Sequence, residues 1–128
     1  MTLSEADEQH MRAAEGWLDL DEPVHAAEEL EKVEFQSHPV VFLLRCRIYL
    51  ESHRPEYTHT IATRLTENIP DWPDAWFYLA CSLARLQQLE EARKTLERCF
   101  VEAARKNQEQ KWRDRAANSR DLEATQIP

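Results

Sequence analysis

Prolines recur along this chain at the interval of one short helix. Pro23, Pro39 and Pro55 are 16 residues apart, and Pro70 and Pro73 follow Pro55 by 15 and 18. Proline lacks an N–H and has a fixed φ, so it suits the first turn of a helix and breaks the interior. Even spacing therefore predicts a series of helices of roughly 12–15 residues with short connections. The 128-residue chain has a single glycine, Gly16. Sandwiches, barrels and glycine-rich phosphate loops need several backbone positions at φ > 0, and one glycine argues against all of them. The implied class is all-α.

The apolar residues repeat at about twice the proline spacing. A shift of 34 places Pro39 on Pro73, Val41 on Ala75, Phe42 on Trp76, Cys46 on Ala80, Tyr49 on Leu83, Ala62 on Leu96 and Leu65 on Cys99. A shift of 32 places Ala14 on Cys46, Trp17 on Tyr49, Pro23 on Pro55, Ala26 on Thr58 and Val33 on Leu65. The clearest copy is PDAWFYLACSLARLQQLEEARKTLERCF, residues 73–100. It resembles the tetratricopeptide repeat. Trp76, Leu79, Ala80 and Leu83 match the W-x2-L-G-x2-Y stretch of that family's first helix, with Ala and Leu in place of Gly and Tyr. Ala92 and Leu96 match the A-x3-F stretch of the second. In the middle copy Arg45 replaces the usual leucine and Thr58 the usual alanine. The ending RAANSRDLEATQIP is similar to the C-terminal segment of small bacterial stand-alone tetratricopeptide proteins.

The resemblance implies a single-domain α-solenoid of three helix–turn–helix repeats over residues 7–38, 39–72 and 73–106, with a capping helix and tail over 107–128. The alternative is an irregular helical bundle with accidental periodicity. The expected helices are 4–19, 22–35, 39–52, 55–68, 73–86, 89–105 and 108–117. Ser4 is the expected N-cap of the first, ahead of Glu5 and Asp7. Asn107 and Gln110 offer a capping box for the seventh. Trp112 and Ala116, at i and i+4, suit a cap over the last repeat, and Ser119 suits the start of one further turn.

Sixteen basic and 24 acidic residues give a formal charge of −8. Residues 1–36 carry −9, and residues 103–120 carry +4. A chain this acidic repels a phosphate backbone, so nucleic acid is not an expected partner. The beginning MTLSEADEQH lacks a signal-peptide pattern, and no run approaches a membrane span. A cytoplasmic location without membrane attachment is expected. Cys46, Cys81 and Cys99 have neither CxxC spacing nor an even count and fall at apolar helical positions, which suits buried thiols in a reducing compartment.

No pattern of catalysis stands out. His10, His25, His38, His53 and His59 form no HExxH or other metal spacing. One glycine excludes GxSxG, the P-loop and GxGxxG. Glu28/Glu29 and Glu90/Glu91 read as solvated faces, with Glu28 paired to Lys32 and Glu90 to Lys94. Trp76 reads as core, and Trp72 as either a packing residue of the turn or an exposed anchor. A non-enzymatic chain without metal or cofactor is expected.

By the family resemblance, the inner faces of the first helices line a partner-binding groove. The matching positions are Met11, Glu15, Leu18 and Asp19; Leu43, Arg47, Leu50 and Glu51; and Phe77, Cys81, Ala84 and Arg85. Met11, Glu15, Leu43 and Asp74 stand where the family's carboxylate clamp places polar residues, so no such clamp is expected. Arg47 and Arg85 remain able to pair an acidic side chain. The alternative is that Leu43, Leu50 and Phe77 pack against neighbouring helices. The resemblance implies an adaptor for a protein or peptide. The competing reading is self-assembly, head to tail or as a dimer, through the acidic start and the basic 103–120 segment.

Overall fold

A computed structural model describes residues 2–125, which are all-helical, with seven α-helices and no strand among them. The chain divides into two compact units, Met1–Arg54 and Pro55–Pro128. The division falls within the expected second repeat.

The first unit contains α1 (Glu5–Asp19), α2 (Pro23–Leu30) and α3 (Pro39–Glu51). The Ser4 hydroxyl accepts the Asp7 N–H at 3.0 Å and caps α1 as expected. Met11, Ala14 and Leu18 of α1 pack with Ala26, Leu30 and Val33, and with Val41, Leu44 and Ile48 of α3. The i, i+3 and i+7 spacing gives α1 one apolar stripe, whereas α3 also buries Cys46 and Leu50 on the side away from its Val41–Leu44–Ile48 stripe.

α2 ends at Leu30, five residues short of the expected 35. Residues on both sides hold it there. The buried Asp7 carboxylate accepts the N–H of Glu34 at 2.9 Å and of Phe35 at 3.2 Å. The Gln36 amide donates to the carbonyls of Leu30 at 2.9 Å and Val33 at 2.6 Å, and the Arg45 guanidinium donates to its oxygen. Polar groups released at the end of α2 thus find partners outside the helix.

The second unit contains α4 (Pro55–Asn68), α5 (Pro73–Arg85), α6 (Leu89–Ala104), α7 (Glu109–Ala117) and a 3₁₀ turn, Glu123–Thr125. α5 packs against α4 and α6 and is buried almost all round, with Pro73, Ala75 and every residue from Phe77 to Ala84 inside. Trp76 is half-buried. Its indole N–H donates to the Pro70 carbonyl at 2.8 Å, and Arg98 lies 4.7 Å over its ring.

Among the described residues, four other than glycine adopt left-handed backbone: Asp21 (φ 60°), His53 (φ 60°), Gln87 (φ 64°) and Asn107 (φ 57°). Each stands just past a helix. The N–H of the following residue reaches back to a carbonyl five positions earlier: Glu22 to Trp17, Arg54 to Tyr49, Gln88 to Leu83 and Gln108 to Ala103, at 2.8–2.9 Å. This is the Schellman closure, usually made with glycine. Asp21, His53 and Gln87 are 32 and 34 residues apart, the two shifts that superpose the apolar residues. Asn107 is therefore consumed in closing α6, and the expected capping box is not formed. Gln110 donates to Asp114 instead, at 2.8 Å.

The helix-face ion pairs also differ from expectation. Lys32 bonds Glu29 at 2.9 Å rather than Glu28, and Glu90 meets Arg93 at 3.4 Å rather than Lys94. The i, i+3 partners are the ones engaged here. Glu29 also accepts from His10 at 2.9 Å across the α1–α2 pair.

Candidate functional site

In the first unit, the expected groove residues split into two sets. Met11, Leu18 and Leu50 are buried, and the first two belong to the core of the unit. Leu43 is half-buried and Glu15 exposed. Asp19, Arg47 and Glu51 come together: Arg47 Nη2 lies 2.8 Å from Asp19 Oδ1, and its Nε lies 3.2 Å from Glu51 Oε1. Arg47 thus already has two carboxylate partners from its own chain. Asp19 keeps most of its side chain in water, so solvent screens that pair strongly.

In the second unit, Phe77, Cys81, Ala84 and Arg85 lie along α5, where a groove open to a partner is expected. Phe77, Cys81 and Ala84 are instead buried. The chain's own C-terminal segment lies on the α5 side chains. Trp112, 1% exposed, places its ring 5.3 Å from the Phe77 ring. The Arg115 guanidinium lies 4.7 Å over Phe77 and 4.9 Å over Trp112, and donates to the Tyr78 hydroxyl at 2.8 Å. A cation over aromatic faces is attracted by their quadrupoles, and the hydrogen bond fixes its plane. The Ser119 side chain hydrogen-bonds at Cys81. Arg85 Nη1 pairs with Asp121 Oδ1 at 2.9 Å. Leu122 is fully buried, and Arg93 donates to the Thr125 carbonyl at 3.1 Å.

Three expected groove residues, Phe77, Cys81 and Arg85, thus do meet one ligand-like segment, and that segment is residues 112–125. Of its anchors, Trp112 and Ala116 are marked in the sequence by their i, i+4 spacing and Ser119 only as a helix cap. Arg115, Asp121, Leu122 and Thr125 are not among the expected site residues. Arg115 follows Trp112 by one helical turn, which is the one signal that pointed to it. Asp121 and Leu122 lie in a non-helical tail with no periodicity to reveal a buried face.

α7 is a polar helix that buries only Trp112 and Ala116. No acceptor among the described residues reaches the buried Trp112 Nε1. Leaving a buried N–H unpaired costs about 1–3 kcal/mol. Asp74, in the first turn of α5, is half-buried. Burial raises its carboxyl above the ordinary value of 3.8, against the pull of a backbone hydrogen bond and of Arg115, Lys111 and Lys106.

The cysteines are poor nucleophiles in these positions. Burial pushes the Cys46 and Cys99 thiols up to about 12 and raises Cys81 as well. No group of three or more His, Cys, Asp or Glu side chains suited to a metal ion occurs among the described residues. No helix among them is long and apolar enough to cross a membrane.

No protein-family model matches this chain, and no curated protein or solved structure is significantly similar to it.

Proposed function

We propose that the chain is a non-enzymatic, tetratricopeptide-like protein-binding module whose α5 face takes a short helical segment of a partner. The reading rests on one observation: that face already holds such a segment in cis. The ligand-like features are an aromatic anchor on Phe77, a guanidinium between aromatic rings, and a carboxylate on Arg85. Aromatic and arginine anchors in desolvated pockets carry most of the binding energy at protein interfaces. The repeated 32- and 34-residue spacing of the left-handed residues supports the repeat reading independently of side-chain pattern. The buried, high-pKa thiols speak for a structural role of the cysteines.

The test separates segment and face. A chain ending at Asn107, shown by circular dichroism to remain helical, is titrated with a synthetic peptide of residues 108–125. The expected result is saturable binding that Phe77→Ala weakens by at least tenfold, since removing a packed aromatic anchor costs about 2 kcal/mol or more. A folded truncated chain that does not bind the peptide removes the proposal.

A further inference from the structure

α1 carries an apolar strip that its own fold leaves uncovered. Ala13, Gly16 and Trp17 of α1 and its C-cap Leu20 follow i, i+3, i+4 and i+7 spacing along one face, and Val24 in the first turn of α2 is exposed as well. Leu20 is 69% exposed and Val24 66%. Trp17 is held in place by His25, stacked at 4.7 Å between ring centroids. Gly16, the one glycine in the chain, sits in the interior of α1, where alanine makes a more stable helix. A Cβ added there meets nothing within 4 Å, so this fold does not require a glycine. Glycine in a helix also permits another backbone to come close. Asp19, Asp21, Glu22 and Glu28, near the strip in sequence, are exposed. Residues 1–36 carry −9, so two such strips repel one another and a cationic occupant is favoured.

The same chain offers a surface of the complementary kind. Between α6 and α7 lies an open cavity of about 280 Å³, with Phe100, Val101 and Ala104 as its apolar lining and Arg105 and Arg113 at its edge, beside Glu97 and Glu109. Val101 is 47% exposed. Arg113 lies 4.3 Å over the Phe100 ring, steered by Glu109 at 2.6 Å. The segment 103–120 around it carries +4. An apolar ridge in the acidic first unit thus has, on the other unit of the same sequence, an apolar hollow in a segment of net positive charge, with two arginines and two glutamates lining the hollow itself.

We propose that two copies of this chain associate head to tail, the Trp17–Leu20–Val24 strip of one copy docking in the Val101 hollow of the next, with Gly16 at the point of closest approach. The contact is heterologous: each copy contributes a different surface. It does not use Phe77, but Glu109 and Arg113 of α7 line one side of the hollow, so a partner that displaces the C-terminal cover also removes that side.

Sedimentation equilibrium of the full chain at low salt and increasing concentration measures the association. The expected result is a mass above one chain that rises with concentration and falls with salt, because screening shortens the reach of surface charge. Leu20→Asp and Val101→Asp are each expected to be monomeric alone. Mixed in equal amounts they are expected to give a complex of two chains and no larger, since one intact strip and one intact hollow remain. Gly16→Ala is expected to raise Tm by about 4 °C and to weaken association by about tenfold. That opposite pair of effects is not produced by a folding defect. A wild-type chain that is monomeric throughout overturns the proposal. So does association that Leu20→Asp abolishes and Val101→Asp leaves intact, which marks a symmetric strip-to-strip dimer.

Discussion

The Asp7 carboxylate accepts the backbone N–H of Glu34, 27 residues away in sequence, at 2.9 Å. It accepts the N–H of Phe35 as well, so a side chain from the first turn of α1 fixes the loop where α2 ends. The hydrogen bond from Glu34 leads the causes that hold the Asp7 pKa below its ordinary 3.8, while burial opposes them. A depressed folded-state pKa gives stability that is present above the unfolded value and lost as pH falls through the folded one. Asp7→Asn is therefore expected to lower the unfolding midpoint at neutral pH, with the gap to wild type closing as pH drops below about 3.8. Glu29 acts in the same direction below its ordinary 4.5, held down first by the hydrogen bond with His10 and then by Lys32. Urea unfolding at a series of pH values checks both.

Asp74 carries the opposite sign. Burial raises its folded pKa, so its ionised form costs stability above that pKa, and the cost disappears below 3.8. Asp74→Asn is expected to stabilise the chain at neutral pH and to make no difference in acid. The same urea series, run on this variant, reads the crossover.

Arg115 joins three aromatic side chains. Its removal loses a charge-assisted hydrogen bond and the contacts with Phe77 and Trp112. Arg115→Ala is expected to cost about 1–2 kcal/mol of stability, with Trp112 more accessible to acrylamide quenching. Arg115→Lys is expected to recover only part, because an ammonium lacks the planar fork that stacks and donates together.

Gln87 holds a left-handed conformation that glycine adopts without strain. Gln87→Gly is expected to add about 0.5–1 kcal/mol, after the greater freedom of glycine in the unfolded chain is subtracted. The gain at Asn107 is expected to be smaller, because asparagine tolerates this region. Thermal unfolding of the two variants compares them.

Where helices begin was legible in the sequence because the signals are local. Pro23, Pro39, Pro55 and Pro73 each start a helix in the first turn, and Ser4 caps the first through its own side chain. The end of α2 was not legible, because Asp7 holds the following loop from 27 residues away and Gln36 takes up the carbonyls of Leu30 and Val33. The Asn107 reading failed for a related reason: with no glycine at hand, asparagine closes α6 and cannot also cap α7. The covering of α5 by Trp112 and Ala116 is legible from their i, i+4 spacing, but the contacts of the tail beyond them are not. Arg85–Asp121 spans 36 residues, and the Cys81–Ser119 contact pairs side chains with no shared periodicity.

Native-state hydrogen exchange on the full-length chain tests most directly whether residues 108–125 are a separable occupant of α5. The account predicts that α7 amides exchange through a local opening, at lower free energy than the α5 and α6 amides, and that Arg115→Ala lowers α7 protection while leaving α5 largely protected. Exchange of α7 and α5 amides at one common free energy, moving together in the variant, would contradict it and make the segment an inseparable part of the core.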